Sequence, residues 1–224
     1  MKINNKTLMV GVAFAAVLFT GCATESSRTL QTPKVASAAT VYHGEKALVS
    51  VGRFNNQSAY QNGIFSDGED RLGNQASTIL VTSLSESGRF SVLERTNMKA
   101  LDQESKYAKT AQNIKGARYV ITGDVTEFGR KTTGDKQLFG ILGKGKTQTA
   151  YSKVNLNVVD TTTSEVVYSA QGAGEYALSE REVIGFGSTA GYDSTLNGKV
   201  LSLSIREAVD NLIKGLESGA WKAK

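Results

Sequence analysis

The residues that could carry chemistry are few, and their spacing decides what each could do. Cys22 is the sole cysteine, so it has neither a disulfide partner nor company for a metal. It ends the phrase LFTGC, after an apolar run from Leu8 to Phe19 and a positive start at Lys2 and Lys6. That pattern reads as a secretory signal over residues 1–21, and the apolar run is too short for a comfortable transmembrane helix. LFTGC resembles a bacterial lipobox, in which the thiol is acylated and becomes the first residue, although Phe19 stands where that pattern prefers Leu. Ala23 follows Cys22. An Asp there would favour retention at the inner membrane, so the expected address is the periplasmic face of the outer membrane.

The other chemical candidates fail on context. Gly140–Thr147, GILGKGKT, satisfies the P-loop expression letter for letter. A phosphate-binding loop, however, must follow a buried strand and open a helix whose first amides hold the anion. The residues after it, QTAYSKVNLNVVD, read as strand, so no nucleotide is expected. The only histidine, His43, lies in a polar linker without a clustered carboxylate or thiol, and one histidine there cannot build a nucleophilic triad. Glu180 and Glu182 share a face of a β-like segment but have no pocket to raise either pKa. No enzyme, metal or cofactor is expected, apart from a covalent N-terminal lipid at Cys22.

Bulk properties set the frame. A chain of 224 residues with 40% hydrophobic content supports one domain. The formal charge of +5 falls to +3 without Lys2 and Lys6, 24 basic against 21 acidic residues. No Lys/Arg block is present, which argues against nucleic acid as a partner.

Several elements are legible. Residues 22–44, rich in Ser, Thr, Ala and Gln, read as a lipid-anchored flexible tether. The folded domain is placed at 45–224. Ala47–Phe54 alternates as a first strand. Leu72, Ala76, Ile79, Leu80 and Leu84 form one helical face, Gly88 supplies a left-handed stop, and Phe90–Leu93 is a short strand. Asn97 is the expected N-cap of a second helix carrying Met98 and Leu101. Ala117–Val125, Lys153–Asp160 and Val166–Tyr176 are strands. A final helix over Gly198–Leu216 carries the stripe Leu201, Ile205, Ala208, Leu212 and Leu216. The order β-α-β-α-β-β-β-α implies an α/β (α+β) sandwich with helices on a mixed sheet. Two Gly-rich segments interrupt the β-rich half, near 129–146 (centre LFGILG) and 180–191 (centre VIGFG).

The phrase STILVTSLSESGRFSVLERTNMKAL, followed by GARYVITGDV, resembles the curli production assembly/transport component family, the CsgG-like outer-membrane secretion lipoproteins. The likeness runs from about Ala47 to the last helix, and VLER and YVITG are its most specific parts. The resemblance implies two extended β-hairpins that enter the membrane and join those of neighbouring copies in an oligomeric transmembrane β-barrel. Leu138, Phe139, Ile141 and Leu142 would stand at the centre of the first, and Val183, Ile184 and Phe186 at that of the second. It also implies a channel constriction in the loop after the first strand. Tyr60 and Phe65 match its two aromatics in spacing, while Ile64 replaces the family's Asn and would make a more apolar gate.

The implied partners are further copies of the chain in a ring, outer-membrane lipid, an exported polypeptide, and periplasmic or surface accessory proteins. The function implied is a ring-shaped passive pore or assembly platform for export of surface proteins. The alternative is a periplasmic lipoprotein adaptor or regulator without a pore, similar to lipoproteins that activate peptidoglycan synthases.

Overall fold

Two helical stripes form the centre of the fold. The protein is described by a computed structural model, which covers residues 32–60, 68–137, 143–182 and 195–222. The chain divides into two units, Met1–Pro33 and Lys34–Lys224. The second unit contains β1 (Ala47–Asn56), α1 (Arg71–Glu86), β2 (Phe90–Leu93), α2 (Met98–Tyr107), β3 (Tyr119–Gln137), β4 (Gly143–Asp160), β5 (Val166–Glu182) and α3 (Thr195–Glu217). This is the element order read from the sequence.

Leu72, Ala76, Leu80 and Leu84 of α1 are buried, as are Leu201, Ile205, Ala208 and Leu212 of α3. Gly88 adopts φ 71°, the left-handed conformation that stops α1 without a Cβ penalty. At the other end of α1 the Asp70 carboxylate accepts from the Gly73 amide at 2.7 Å and from the Asn56 amide at 2.7 Å. One side chain thus caps the helix and ties it to the end of β1.

The sheet is mixed, in the order β2-β1-β3-β4-β5. β1 pairs in parallel with β2 and β3, and β3, β4 and β5 are antiparallel neighbours. α1 lies against β1, β2 and β3, and α3 against β4 and β5. Along β4, Ala150, Ser152, Val154, Leu156 and Val158 are buried, while the alternate positions Thr149, Lys153, Asn155 and Asn157 are polar and only half-covered. That alternation is the pattern of a sheet with one face packed and one wetted.

Small residues let α3 approach its strands. A Cβ at Gly172 would run into the Ser204 carbonyl oxygen and the Ala208 amide, and one at Gly174 into the main chain of Val200 and Ser204. In the same contact the buried Ser204 and Ser152 hydroxyls lie 3.0 Å apart, which satisfies polar atoms that burial would otherwise penalise. Where β1, β3 and β5 begin, Trp221 stacks with Phe90 at 6.2 Å and meets Tyr119 edge-on at 5.5 Å. Its indole N–H donates to the Leu212 carbonyl at 3.2 Å.

Three expectations need correction. Asn97 occupies the N-cap position of α2, but its side chain makes no capping bond. The Glu94 carboxylate accepts instead from the amides of Thr96, at 2.5 Å, and Asn97, at 2.9 Å, because its longer side chain reaches back over the turn. α2 buries no residue, and Leu101, which the sequence places on this helix with Met98, is 43% exposed; a stripe of two apolar residues on a polar ten-residue helix does not need the core.

The third correction concerns the tether, whose last part is not loose. Val35 is buried and Ala36–Ala39 forms a 3-10 turn docked on α3. Charged side chains from α3 and from the start of β2 hold it there.

Candidate functional site

β3 and β4 do not end where the helices end. Their ladder continues without a break from Arg130↔Ala150 to Gln137↔Gly143, and β5 stays paired to β4 as far as Lys144↔Glu182. Lys131–Gly134 are exposed, so a three-stranded ribbon overhangs the packed part of the sheet. Residues 129–137 and 143–146 of the segment read from sequence as an insertion are thus continuous with the core strands. Seven residues of β3, Lys131–Gln137, extend it by about 24 Å at the usual rise per strand residue.

The outer edges of this ribbon are open. The pairing of β1 with β3 ends at Asn56↔Val125, so β3 from Thr126 to Gln137 has only β4 as a neighbour among the described residues. β5 is the last strand of the sheet. In register, Lys144 stands opposite Glu182 and Lys146 opposite Glu180, while Asp135 and Arg181 are both opposite Gly145.

At the base of the ribbon lies the start of the loop that follows β1. Tyr60 packs its ring against Phe128 of β3 at 4.7 Å. Its hydroxyl accepts from Asn197 of α3 at 2.7 Å, and its carbonyl accepts from the Asn56 side chain at 2.6 Å. Asn56 also accepts from Ser58, amide and hydroxyl, and the Gln57 amide donates to Val125 at 2.9 Å. Tyr60 therefore anchors the entrance of the loop to the ribbon and to the first turns of α3. Ile64 and Phe65 lie outside the described residues. So do Cys22, the hairpin centres Leu138, Phe139, Ile141 and Leu142, and Val183, Ile184 and Phe186.

The remaining chemical candidates have plain surroundings. Gly143–Thr147 of the P-loop-like phrase is strand, and β4 runs on to Asp160, so no helix N-terminus stands behind Lys146. His43 is exposed. Among the described residues no cluster of His, Cys, Asp and Glu could hold a metal ion, and no helix is long and apolar enough to cross a membrane.

Sequence reasoning overlooked Arg89. Its side chain is 4% exposed and its counter-ion is Glu217 at the end of α3, 2.9 Å away. The guanidinium donates to the carbonyls of Ser37 at 2.6 Å, Thr40 at 3.0 Å and Ser87 at 2.7 Å, and to the Thr40 hydroxyl. Tyr42 covers it at 5.3 Å. Asp210 completes the arrangement from α3, accepting from the amides of Ala36 at 2.9 Å and Ser37 at 3.1 Å. The sole signal in the sequence is an arginine wedged between the helix stop Gly88 and the core residue Phe90, where a surface charge is out of place.

A mixed sheet with helices on one face and an overhanging ribbon has known relatives. The family model for the curli production assembly/transport component CsgG matches residues 31–224, and the chain belongs to that family. The Neisseria meningitidis serogroup B protein named "Putative lipoprotein NMB1126/NMB1164" is 65% identical over 213 residues, 95% of this chain and 96% of that one. Among solved structures, the PelC dodecamer from Paraburkholderia phytofirmans is 16% identical, over 82% of this chain and 96% of that one, with a TM-score of 0.35. The LpoB C-terminal domain from Salmonella enterica is 15% identical, over 58% and 85%, with a TM-score of 0.31.

Proposed function

We propose that this protein is a lipid-anchored subunit of an outer-membrane ring whose ribbons join into a β-barrel and give exported polypeptides a passive path. The observation that carries this reading is the overhanging ribbon of β3, β4 and β5, to whose outer sides no further strand is added among the described residues. In lipid each unpaired backbone group costs several kcal/mol, so strands cross only as closed barrels. Three strands are too few to close a barrel, so the ribbon would close through further copies. The family to which the chain belongs, named for assembly and transport, supports the same reading. So does the lipobox-like LFTGC, together with the 65% identical relative that bears the name of a lipoprotein.

No step needs a nucleotide or a catalytic group. The lumen would be narrowed by the loop that Tyr60 anchors, with Ile64 and Phe65 as its apolar gate. The charged rows of the ribbon would lie at the periplasmic rim or toward the lumen, and the apolar centres around Ile141 and Ile184 would reach the hydrocarbon.

The test is Ile141→Asp. A carboxylate there costs less than the roughly 2–4 kcal/mol of a Lys or Arg at the midplane, but the penalty is repeated around the ring. The expected product is acylated, folded protein that forms no rings in detergent extracts and no longer raises outer-membrane permeability. Assembly and conductance equal to wild type would overturn the barrel, and a wild type that never inserts would favour the periplasmic adaptor.

A further inference from the structure

The lipid leash is shorter than the sequence suggests, and Arg89 shortens it. Among the described residues none before Ala47 belongs to a strand or an α-helix. On sequence alone the leash spans residues 22–44. Fully extended, those roughly 22 steps would span about 75 Å. The structure instead fastens residues 35–40 at three points. Asp210 takes the amides of Ala36 and Ser37, Arg89 takes the carbonyls of Ser37 and Thr40, and Val35 is buried. An almost fully buried guanidinium would lose the Ser37 and Thr40 carbonyls and the Thr40 hydroxyl if the strap detached, and would keep only Glu217 and the Ser87 carbonyl.

The fastening also sets a direction. Arg89 precedes β2 and pairs with Glu217, so it marks the end of the molecule opposite the ribbon. Asp210, which holds the entrance of the strap, sits about two turns of α3 closer to the ribbon. From Asp210 to the start of α3 at Thr195 is roughly 22 Å along the helix. Lys199, one turn into α3, lies over Tyr176, near where the ribbon leaves the core. From Val35 back to Cys22 are about 13 steps, at most about 45 Å. Only about seven are needed to reach the level of the ribbon's base.

We infer that the strap 35–40, locked by Arg89 and Asp210, is a ruler. It fixes the working length of the leash and releases it on the α3 side, facing the membrane that the ribbon enters. This inference rests on the proposed lipid anchor and ribbon insertion, and concerns what those two demand of the intervening chain.

The experiment uses the full-length lipoprotein with its leash shortened after Ala23. Deleting 24–28 leaves about 8 steps, or about 28 Å, and should give rings and permeability as in wild type. Deleting 24–33 leaves about 3 steps, or about 10 Å, and should lower ring yield at least tenfold while acylation and melting temperature stay unchanged. Releasing the strap in that short-leash protein, by Asp210→Ala or by Arg89→Met, should restore rings. Asp210→Ala is the gentler variant because it leaves the Arg89–Glu217 pair in place. Alone, it should also speed hydrogen exchange at Ala36 and Ser37 by tenfold or more. Rings at wild-type yield with 24–33 deleted and the strap intact would overturn the ruler and leave the channel reading standing. Strap release that restores no rings would overturn the ruler equally. A full-length wild type that makes no rings would instead overturn the channel reading, and the ruler with it.

Discussion

The same three strands lead two different lives. Between Tyr119 and Phe128, β3 buries Tyr119, Ile121, Val125 and Phe128, and β4 buries its alternate residues from Ala150 to Val158 beneath α1 and α3. From Lys131 outward the ladder is continuous, yet the side chains of Lys131–Gly134 are exposed. Backbone pairing alone therefore does not mark where a domain ends; the helices do. The packed half derives its stability from removing apolar surface from water. The ribbon lacks that cover, and under the proposed reading neighbouring copies would supply its partners.

Substitutions can break this contrast or sharpen it. Leu212→Ala, under the packed half, empties a fully buried site and should cost about 2–5 kcal/mol, read from denaturant unfolding; a midpoint like that of wild type would show that α3 is not the cover of the sheet. Gly172→Ala places a methyl group against the backbone of α3 and should cost about 1–3 kcal/mol. Full stability there would mean that the helix rides higher than described. Thr133→Ala, in the exposed ribbon, should change the stability of the isolated subunit by no more than about 0.5 kcal/mol. A larger loss would show that the ribbon is packed on something within the subunit.

The smallest effect concerns pH. The amides of Asn97 and then Thr96 hold the Glu94 carboxyl below its usual value of 4.5, against the opposing effect of burial. A carboxyl lowered on folding stabilises above its unfolded pKa and loses that contribution as pH falls through the folded value. Protection of the Thr96 and Asn97 amides, relative to their intrinsic exchange at each pH, should therefore fall below about pH 4.5, whereas in Glu94→Ala it should be lost already at neutral pH. Equal protection of these two amides at pH 7 and pH 3 would exclude Glu94 as their acceptor. The outcome bears on the same contrast, since α2 lies outside the packed half and is held by local bonds.

Much of the fold was legible because local periodicity mirrors burial. The stripes of α1 and α3 are spaced at three and four residues, and each faces the single core. Gly88 stops its helix by a conformation that only its own backbone has to adopt. Asn97 stands at the N-cap without bonding because residue type does not fix the side-chain geometry, while Glu94 holds the turn before it through the amides of Thr96 and Asn97. Leu101 left its burial open because two apolar residues cannot show whether a neighbour exists to cover them. The P-loop phrase satisfied a pattern of letters, while the strand context of Lys146 followed from the residues after it.

The sequence by itself determined the element order, the two buried stripes, the lone thiol in its lipobox-like phrase and the Gly-rich apolar phrases LFGILG and VIGFG. These are properties of neighbours along the chain, or of a pattern repeated within a few turns. Only the tertiary structure decided that β2 and β3 flank β1 in parallel, that β3 and β4 run on as one overhanging ribbon, and that Tyr60 fastens its loop to Phe128 and Asn197. It alone decided that Arg89 captures a strap about fifty residues upstream and closes on Glu217, 128 residues downstream. A buried guanidinium must find acceptors wherever the fold brings them, and no spacing along the chain records which ones those will be.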